Sequence, residues 1–166
     1  MNQIENMFIL VVDDEVGVTR LCERFLSRAG YQVTTANHPH EGGKLLEDQE
    51  FDLLLVDIRM PETDGFQMLK LARQFQPDIA VVIMTGYGTV ETALDSLHLG
   101  ADGMLLKPFS GAELIQSVEQ ALRDRQRERE MQRLQALRPL LYISEKIFAE
   151  KSPQELRVRL LEIVAD

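Results

Sequence analysis

Three short apolar runs constrain this chain most: FILVV at residues 8–12, LLLV at 53–56 and AVVIM at 80–84. Each is continuous rather than alternating and is bounded by charged or turn-forming residues. A strand with one wet face alternates with period two, so unbroken aliphatic runs of this length read as strands covered on both faces, the pattern of a parallel sheet. Gln32 to Thr35 and Gly103 to Leu106 are weaker strand candidates that bring the set to five. Helical patterns of about 10 to 15 residues separate them. The chain therefore reads as βα repeated five times.

Helix edges support this division. Val18, Leu21, Cys22, Phe25, Leu26 and Ala29 form one apolar stripe, and Gly30 follows where a left-handed residue ends a helix. Ser110 and Glu113 have the spacing of a capping box, which predicts the start of the fifth helix. Strand–helix–strand units cross over right-handedly, giving an open sheet with helices on both faces and a ligand crevice at the carboxyl ends of the strands.

The chain has 166 residues, enough for one domain of ordinary size and a short appendage. No apolar run approaches the roughly 20 residues needed to cross a bilayer, so no membrane contact is expected. MNQIENMFILVVDDE lacks both a basic patch and a small-residue cleavage site, which predicts a cytoplasmic location. A net charge of −9 argues against direct nucleic acid binding, which rests on neutralising phosphates with Lys and Arg. Cys22, the single cysteine, excludes intrachain disulfides and reads as a small buried apolar residue.

Beyond residue 123 the composition changes to RDRQREREMQRLQALR, rich in straight-chain helix formers. The fifth helix is expected to run on. Ile115, Val118, Leu122 and Arg125 share one heptad frame, whereas Met131, Leu134 and Leu141 fit a displaced one. Two readings stay open: an irregular coiled-coil dimer, or a solvated single helix with intrahelical Arg and Glu pairs. Pro139 is expected to break or restart the helix. Ser152-Pro153-Gln154-Glu155 is a second capping box, and Leu156, Leu160, Leu161 and Val164 give the following helix an apolar face whose partner is expected beyond Asp166.

Asp13-Asp14-Glu15, Asp57, Met60-Pro61-Glu62, Thr85-Gly86 and Lys107-Pro108 all fall at or just beyond predicted strand ends, so the topology gathers them in one crevice. Carboxylates so close stay ionised only if a cation offsets their repulsion. Oxygen ligands without convergent Cys or His favour Mg²⁺ or Mn²⁺ over zinc. His38, His40 and His98 lack metal-ligand spacing and read as structural, the first two in a turn around Pro39.

VVDDE, LLLVDIRMPETDG, IMTGYGTVETAL and LLKPF, in this order, resemble the receiver domain of two-component response regulators over residues 7 to 123. The resemblance implies a doubly wound, flavodoxin-like (βα)5 fold with strand order 2-1-3-4-5. The composition change adds a helical linker (124–151) and the start of a further helix (152–166) to a receiver domain (1–123), and Leu137 to Val164 resemble a signalling helix leading into a GAF-type domain. The receiver resemblance makes Asp57 the phosphoacceptor, Asp14 a direct metal ligand and Asp13 a ligand acting through metal-bound water, with Arg59 adding its backbone carbonyl. Lys107 would bind phosphoryl oxygens, and Lys107–Pro108 resembles the family's cis bond. Thr85 resembles the switch hydroxyl, with Gly86 leaving room for the phosphoryl group. The aromatic residue usual three positions before the lysine is replaced by Met104, which predicts weaker or differently routed signalling. Arg59 and Tyr87 resemble positions that obstruct the attacking water, predicting slow self-dephosphorylation.

No segment resembles a phosphoacceptor histidine helix or a nucleotide-binding loop, so a partner histidine kinase or phosphotransfer protein is expected as donor. Such a chain catalyses only its own phosphorylation and dephosphorylation. The alternative function is a phosphorylation-independent interaction or dimerisation module using the fourth and fifth predicted helices. A phosphatase with an aspartyl-phosphate intermediate ranks last, since Arg59 stands where it would need a second Asp.

Overall fold

The structure, a computed structural model, describes residues 7–61, 65–86 and 98–150, with side chains through residue 137. Five strands form one parallel sheet: β1 (Phe8–Val12), β2 (Gln32–Ala36), β3 (Leu53–Asp57), β4 (Ala80–Thr85) and β5 (Gly103–Leu106). Their order is β2-β1-β3-β4-β5, the order expected. The described helices are α1 (Val16–Arg28), α2 (Pro39–Asp48), α3 (Gly65–Phe75) and α4 (Gly111–Glu150). The predicted helix between β4 and β5, along with Glu62, Tyr87 and the segment 152–166, lies outside the described residues.

The continuous apolar runs are explained by two cores. Leu10, Val12, Leu54, Val56, Val81 and Ile83 point to one face and pack with Leu46 of α2 and Met68, Leu69 and Ala72 of α3. Ile9, Val11, Leu53, Leu55, Val82 and Met84 point to the other, against Cys22 and Leu26 of α1 and Leu114, Val118 and Ala121 of α4. Successive residues serve opposite faces, so no position is left for a polar side chain.

Local signals hold. Gly30 has φ 100° after α1, and the Tyr31 amide donates to Leu26 O at 3.1 Å, closing the helix end. Ser110 Oγ accepts from the Glu113 amide at 3.3 Å, while Glu113 Oε2 accepts from the Ser110 amide at 2.8 Å, so the capping box forms at the start of α4. The Ser110 amide and then its hydroxyl, which also donates to Glu113 Oε2 at 2.8 Å, hold the Glu113 carboxyl below its ordinary value.

Two expectations need correction. His40 is not in a turn: α2 begins at Pro39, whose missing N–H is harmless at a first helical position, and His38 caps it by accepting from the His40 amide at 3.2 Å. Pro139 does not end its helix either, since α4 is continuous to Glu150. Proline removes one backbone donor, and the bonds on either side suffice to carry the helix past it.

The chain divides after Arg127 into two units. In the first, the apolar positions of the early heptad frame are occupied internally: Val118 is buried and Leu122 packs on the core. Arg125 donates to the carbonyls of Pro77 and Asp78, fastening α4 to the turn after α3. In the second unit Met131, Leu134 and Leu137 are exposed. Among the described residues, no helix is long and apolar enough to cross a membrane.

Cys22 is fully buried, as its place in the stripe predicts. Burial pushes its thiol up to about 12, with the negative charge of Asp13 adding to the shift. The folded protein should therefore resist thiol alkylation at pH 8 and become reactive only in denaturant, which a mass-spectrometric time course will show. An unfolded thiol ionises from about pH 9, so the thiol's contribution to stability is complete below that pH and is lost as pH rises toward 12.

Candidate functional site

Sheet register builds the site. Val12 pairs with Val56, so Asp13 lies level with Asp57, the last residue of β3. Asp57 pairs with Met84, and Thr85 pairs with Leu106, one residue before Lys107. Because all the strands are parallel, these residues share one edge of the sheet, where each chain leaves its strand for a loop.

Asp13 is fully buried, while Asp57 and Thr85 are 5% and 4% exposed. Lys107 lies between the two carboxylates, with Nζ 2.6 Å from Asp13 Oδ2 and 2.8 Å from Asp57 Oδ1. Glu15 Oε1 is 3.7 Å from the same ammonium at the exposed rim. The other carboxylate oxygens also have donors: Asp13 Oδ1 accepts from the Glu15 amide at 2.9 Å and Asp57 Oδ2 from the Arg59 amide at 2.8 Å. The Lys107 amide donates to Thr85 O at 2.7 Å, tying the β5 end to the β4 end. The Lys107–Pro108 peptide is cis.

Burial raises the Asp13 carboxyl more than the hydrogen bond and charge of Lys107 and the Glu15 amide lower it. Burial alone would lower the Lys107 ammonium, but its hydrogen bonds to Asp13 and Asp57 outweigh that and hold it above its ordinary value. Both groups keep their protons more firmly than free side chains do. That is the expected response of two carboxylates gathered in a buried place with a single cation between them.

The donor set at this edge is hard oxygen. Among the described residues no three Asp, Glu, His or Cys side chains are grouped as a metal cage. Mg²⁺ does not require one, since it keeps several waters and is held through one or two carboxylates together with phosphate oxygens. Asp13 and Asp57, both within hydrogen-bond distance of one ammonium, satisfy that requirement. Asp14 is exposed next to them. Met104 stands on the exposed side of β5, opposite Ile83 in the register.

Three features escaped the sequence reading. Arg59 reaches the Asp57 carboxylate through its amide N–H, where the sequence reading gave it only a backbone carbonyl. Gly65 opens α3 against the backbone of Asp57 and Ile58, and its amide donates to Ile58 O at 2.9 Å. Its position at the end of LLLVDIRMPETDG was the available signal. Asn37, just beyond β2, donates from Nδ2 to Asp13 O at 3.0 Å. An isolated Asn in a loop gives no sequence signal for such a contact.

An open five-stranded parallel sheet with an acidic pair and a lysine at its carboxyl edge defines a class, and residues 9–119 match the response regulator receiver domain. The chain belongs to this family. It is a receiver domain of two-component response regulators, a class that works in phosphorelay signalling.

The chain is 40% identical over 118 residues to the transcriptional regulatory protein ZraR of Escherichia coli K12, covering 71% of this chain and 27% of that protein. It is 38% identical over 126 residues to the regulatory protein AtoC of the same organism, covering 76% of this chain and 27% of AtoC. It thus spans about a quarter of these curated relatives. Among solved structures, a CheY-like receiver domain from Methanospirillum hungatei aligns with a TM-score of 0.69 at 30% identity, covering 74% of this chain and 98% of that one. NtrX from Brucella abortus aligns at 0.73 with 32% identity, covering 78% of this chain and 30% of that chain.

Proposed function

We propose that Asp57 accepts a phosphoryl group from a partner histidine kinase or phosphotransfer protein and that the chain passes the change to an output region or partner. The observation that carries this reading is the buried Asp13–Lys107–Asp57 arrangement, with both carboxylates within 2.8 Å of one ammonium at the carboxyl edge of a parallel sheet. A structural ion pair has no need of a second buried carboxylate on the same lysine.

In the reaction an Asp57 oxygen attacks phosphorus, and the phosphorus–oxygen bond forms as the donor's bond to the phosphoryl group breaks. Lys107, already 2.8 Å from Asp57 Oδ1, follows the negative charge onto the phosphoryl oxygens. The Arg59 amide steadies Asp57 Oδ2. Asp13, Asp14, Asp57 and the Arg59 carbonyl would hold Mg²⁺ or Mn²⁺, which when bound neutralises charge on the phosphoryl oxygens. The Thr85 hydroxyl then turns to the phosphoryl group, and Met104, exposed on β5, follows less decisively than an aromatic ring would.

Catalysis in this reading is confined to the chain's own phosphorylation and dephosphorylation. The receiver occupies residues 1–123, the linker 124–151, and a further segment begins at 152. A second copy is the partner favoured by exposed Met131, Leu134 and Leu137. With a net charge of −9, direct contact with nucleic acid is not part of this chain's role, and its place is the cytoplasm.

The test is incubation with Mg²⁺ and a small-molecule phosphodonor. An acid-stable, hydroxylamine-labile mass gain is expected in the parent and absent in Asp57→Asn. No gain in the parent, together with no response to beryllofluoride, would leave the phosphorylation-independent module.

A further inference from the structure

Asp13 is held at four points. Its carboxylate oxygens accept from the Glu15 amide at 2.9 Å and from Lys107 at 2.6 Å. Its amide donates to Ala36 O at 3.2 Å, and its carbonyl accepts from Asn37 Nδ2 at 3.0 Å. The last two contacts come from the end of β2, an element that supplies none of the chemistry. Asn37 Nδ2 also donates to Thr19 Oγ1 at 2.9 Å, and the Thr19 hydroxyl donates to Val16 O at 3.1 Å. Asn37 is in turn fixed by its amide, which donates to Glu41 Oε2 at 3.3 Å.

This network has one arrangement. Both hydrogens of the Asn37 amide are used, one on the Asp13 carbonyl and one on a Thr19 oxygen that is 1% exposed. Aspartate at 37 would place an acceptor against the Asp13 carbonyl, and serine has one donor where two are needed. Thr19 lies one turn into α1, and its amide donates to Glu15 O at 3.2 Å. The brace therefore fixes both ends of the Asp13–Glu15 turn whose amide orients the Asp13 carboxylate.

We infer that Asn37, acting with Thr19, is a positioning residue that holds the Asp13 carboxylate in line with Lys107 and Asp57. The inference rests on the reading of those three residues as a phosphoryl-transfer site. Asn37 touches neither Asp57 nor Lys107 in any contact described above, so its effect runs through the Asp13 main chain. Partners that orient a metal-binding group typically change metal affinity by about 10- to 100-fold when removed.

The test compares Asn37→Ala, Thr19→Val and Thr19→Ser with the parent. In metal-free protein, hydrogen exchange of the Glu15 amide is followed by NMR. The Val81 amide, which donates to Asp102 Oδ2 at 2.7 Å at the opposite end of the sheet, serves as an internal reference for global opening. Mg²⁺ is then titrated. Asn37→Ala and Thr19→Val should each speed Glu15 exchange about tenfold relative to Val81 and weaken Mg²⁺ about tenfold, while Thr19→Ser stays near the parent. If Asn37→Ala lowers the melting temperature but leaves the Glu15-to-Val81 ratio and the Mg²⁺ affinity unchanged, its role is only structural and the inference falls. It falls equally if Thr19→Ser behaves as Thr19→Val. Should the parent itself bind no Mg²⁺, the phosphoryl-transfer reading fails, and the metal-free exchange ratio still decides the positioning role.

Discussion

Lys107→Ala should cost the metal-free protein about 3–5 kcal/mol, because it leaves two buried carboxylates without the cation they share. The Lys107 side chain is 16% exposed, so water cannot replace it freely. The variant should also steepen a pH dependence that the raised Asp13 carboxyl already gives the parent. Without the ammonium, repulsion and burial raise the carboxyl pKa of the pair in the folded state above its unfolded value, so stability is present at low pH and falls as pH rises through that window. The parent shows this fall more weakly, because Lys107 offsets part of the rise at Asp13. Its lysine is held above the ordinary value, so that contribution is complete below the unfolded lysine pKa and is lost only as pH rises beyond it.

Denaturant titrations at pH 5 and pH 8 separate the two proteins, and Mg²⁺ should raise the melting temperature of the variant more than that of the parent by supplying the missing charge. Phosphorylation from a small-molecule donor should slow by about 10²–10³-fold, the usual loss when one donor to a developing oxyanion is removed. An unchanged rate would remove Lys107 from the chemistry and leave it a structural counter-ion.

Gly65→Ala is the second large effect expected, although residue 65 contributes no functional group. A Cβ there would lie 2.3 Å from the Asp57 carbonyl oxygen and 3.0 Å from its carbonyl carbon and from the Ile58 Cα. All three are backbone atoms that no rotamer change can relieve. The start of α3 must withdraw or the Asp57–Ile58 backbone must move, at a cost of about 3 kcal/mol. A displacement near 1 Å is enough to slow a positioned reaction about 10²-fold. Gly17→Ala is the control, because nothing lies within 4 Å of a Cβ on that exposed turn of α1. It should leave phosphorylation intact and stabilise the helix by roughly 0.5 kcal/mol. Equal phosphorylation rates in Gly65→Ala and Gly17→Ala would show that the α3 approach does not set the acceptor geometry.

The three central strands were legible in the sequence because burial on both faces forces an unbroken apolar run, a pattern that half-wet strands do not share. Strand limits differed by one residue at β2, β3 and β4, where Ala36, Asp57 and Thr85 stay in the ladder. The polar identity of Asp57 and Thr85 hid this, since both pair as backbone while their side chains serve the crevice. Gly30 and the Ser110–Glu113 box were legible for a different reason: they solve local hydrogen-bonding needs that depend only on nearby residues.

Asp13, Asp57 and Lys107 were each nameable from their places after strands, and parallel connectivity alone brings such positions to one edge. The sequence by itself therefore determined the layers and the edge where the candidate site residues gather, and its motifs gave the strand order through the family they resemble. Tertiary structure alone decided which groups meet there. It joined one ammonium to two carboxylates and left Asp14 exposed. It gave Asp13 a clamp from Asn37, 24 residues away, and gave Asp57 a neighbour in Gly65 that tolerates no Cβ. Periodicity and caps are properties of adjacent residues, whereas these contacts depend on how separate loops approach across a finished sheet, and a linear pattern does not encode that distance.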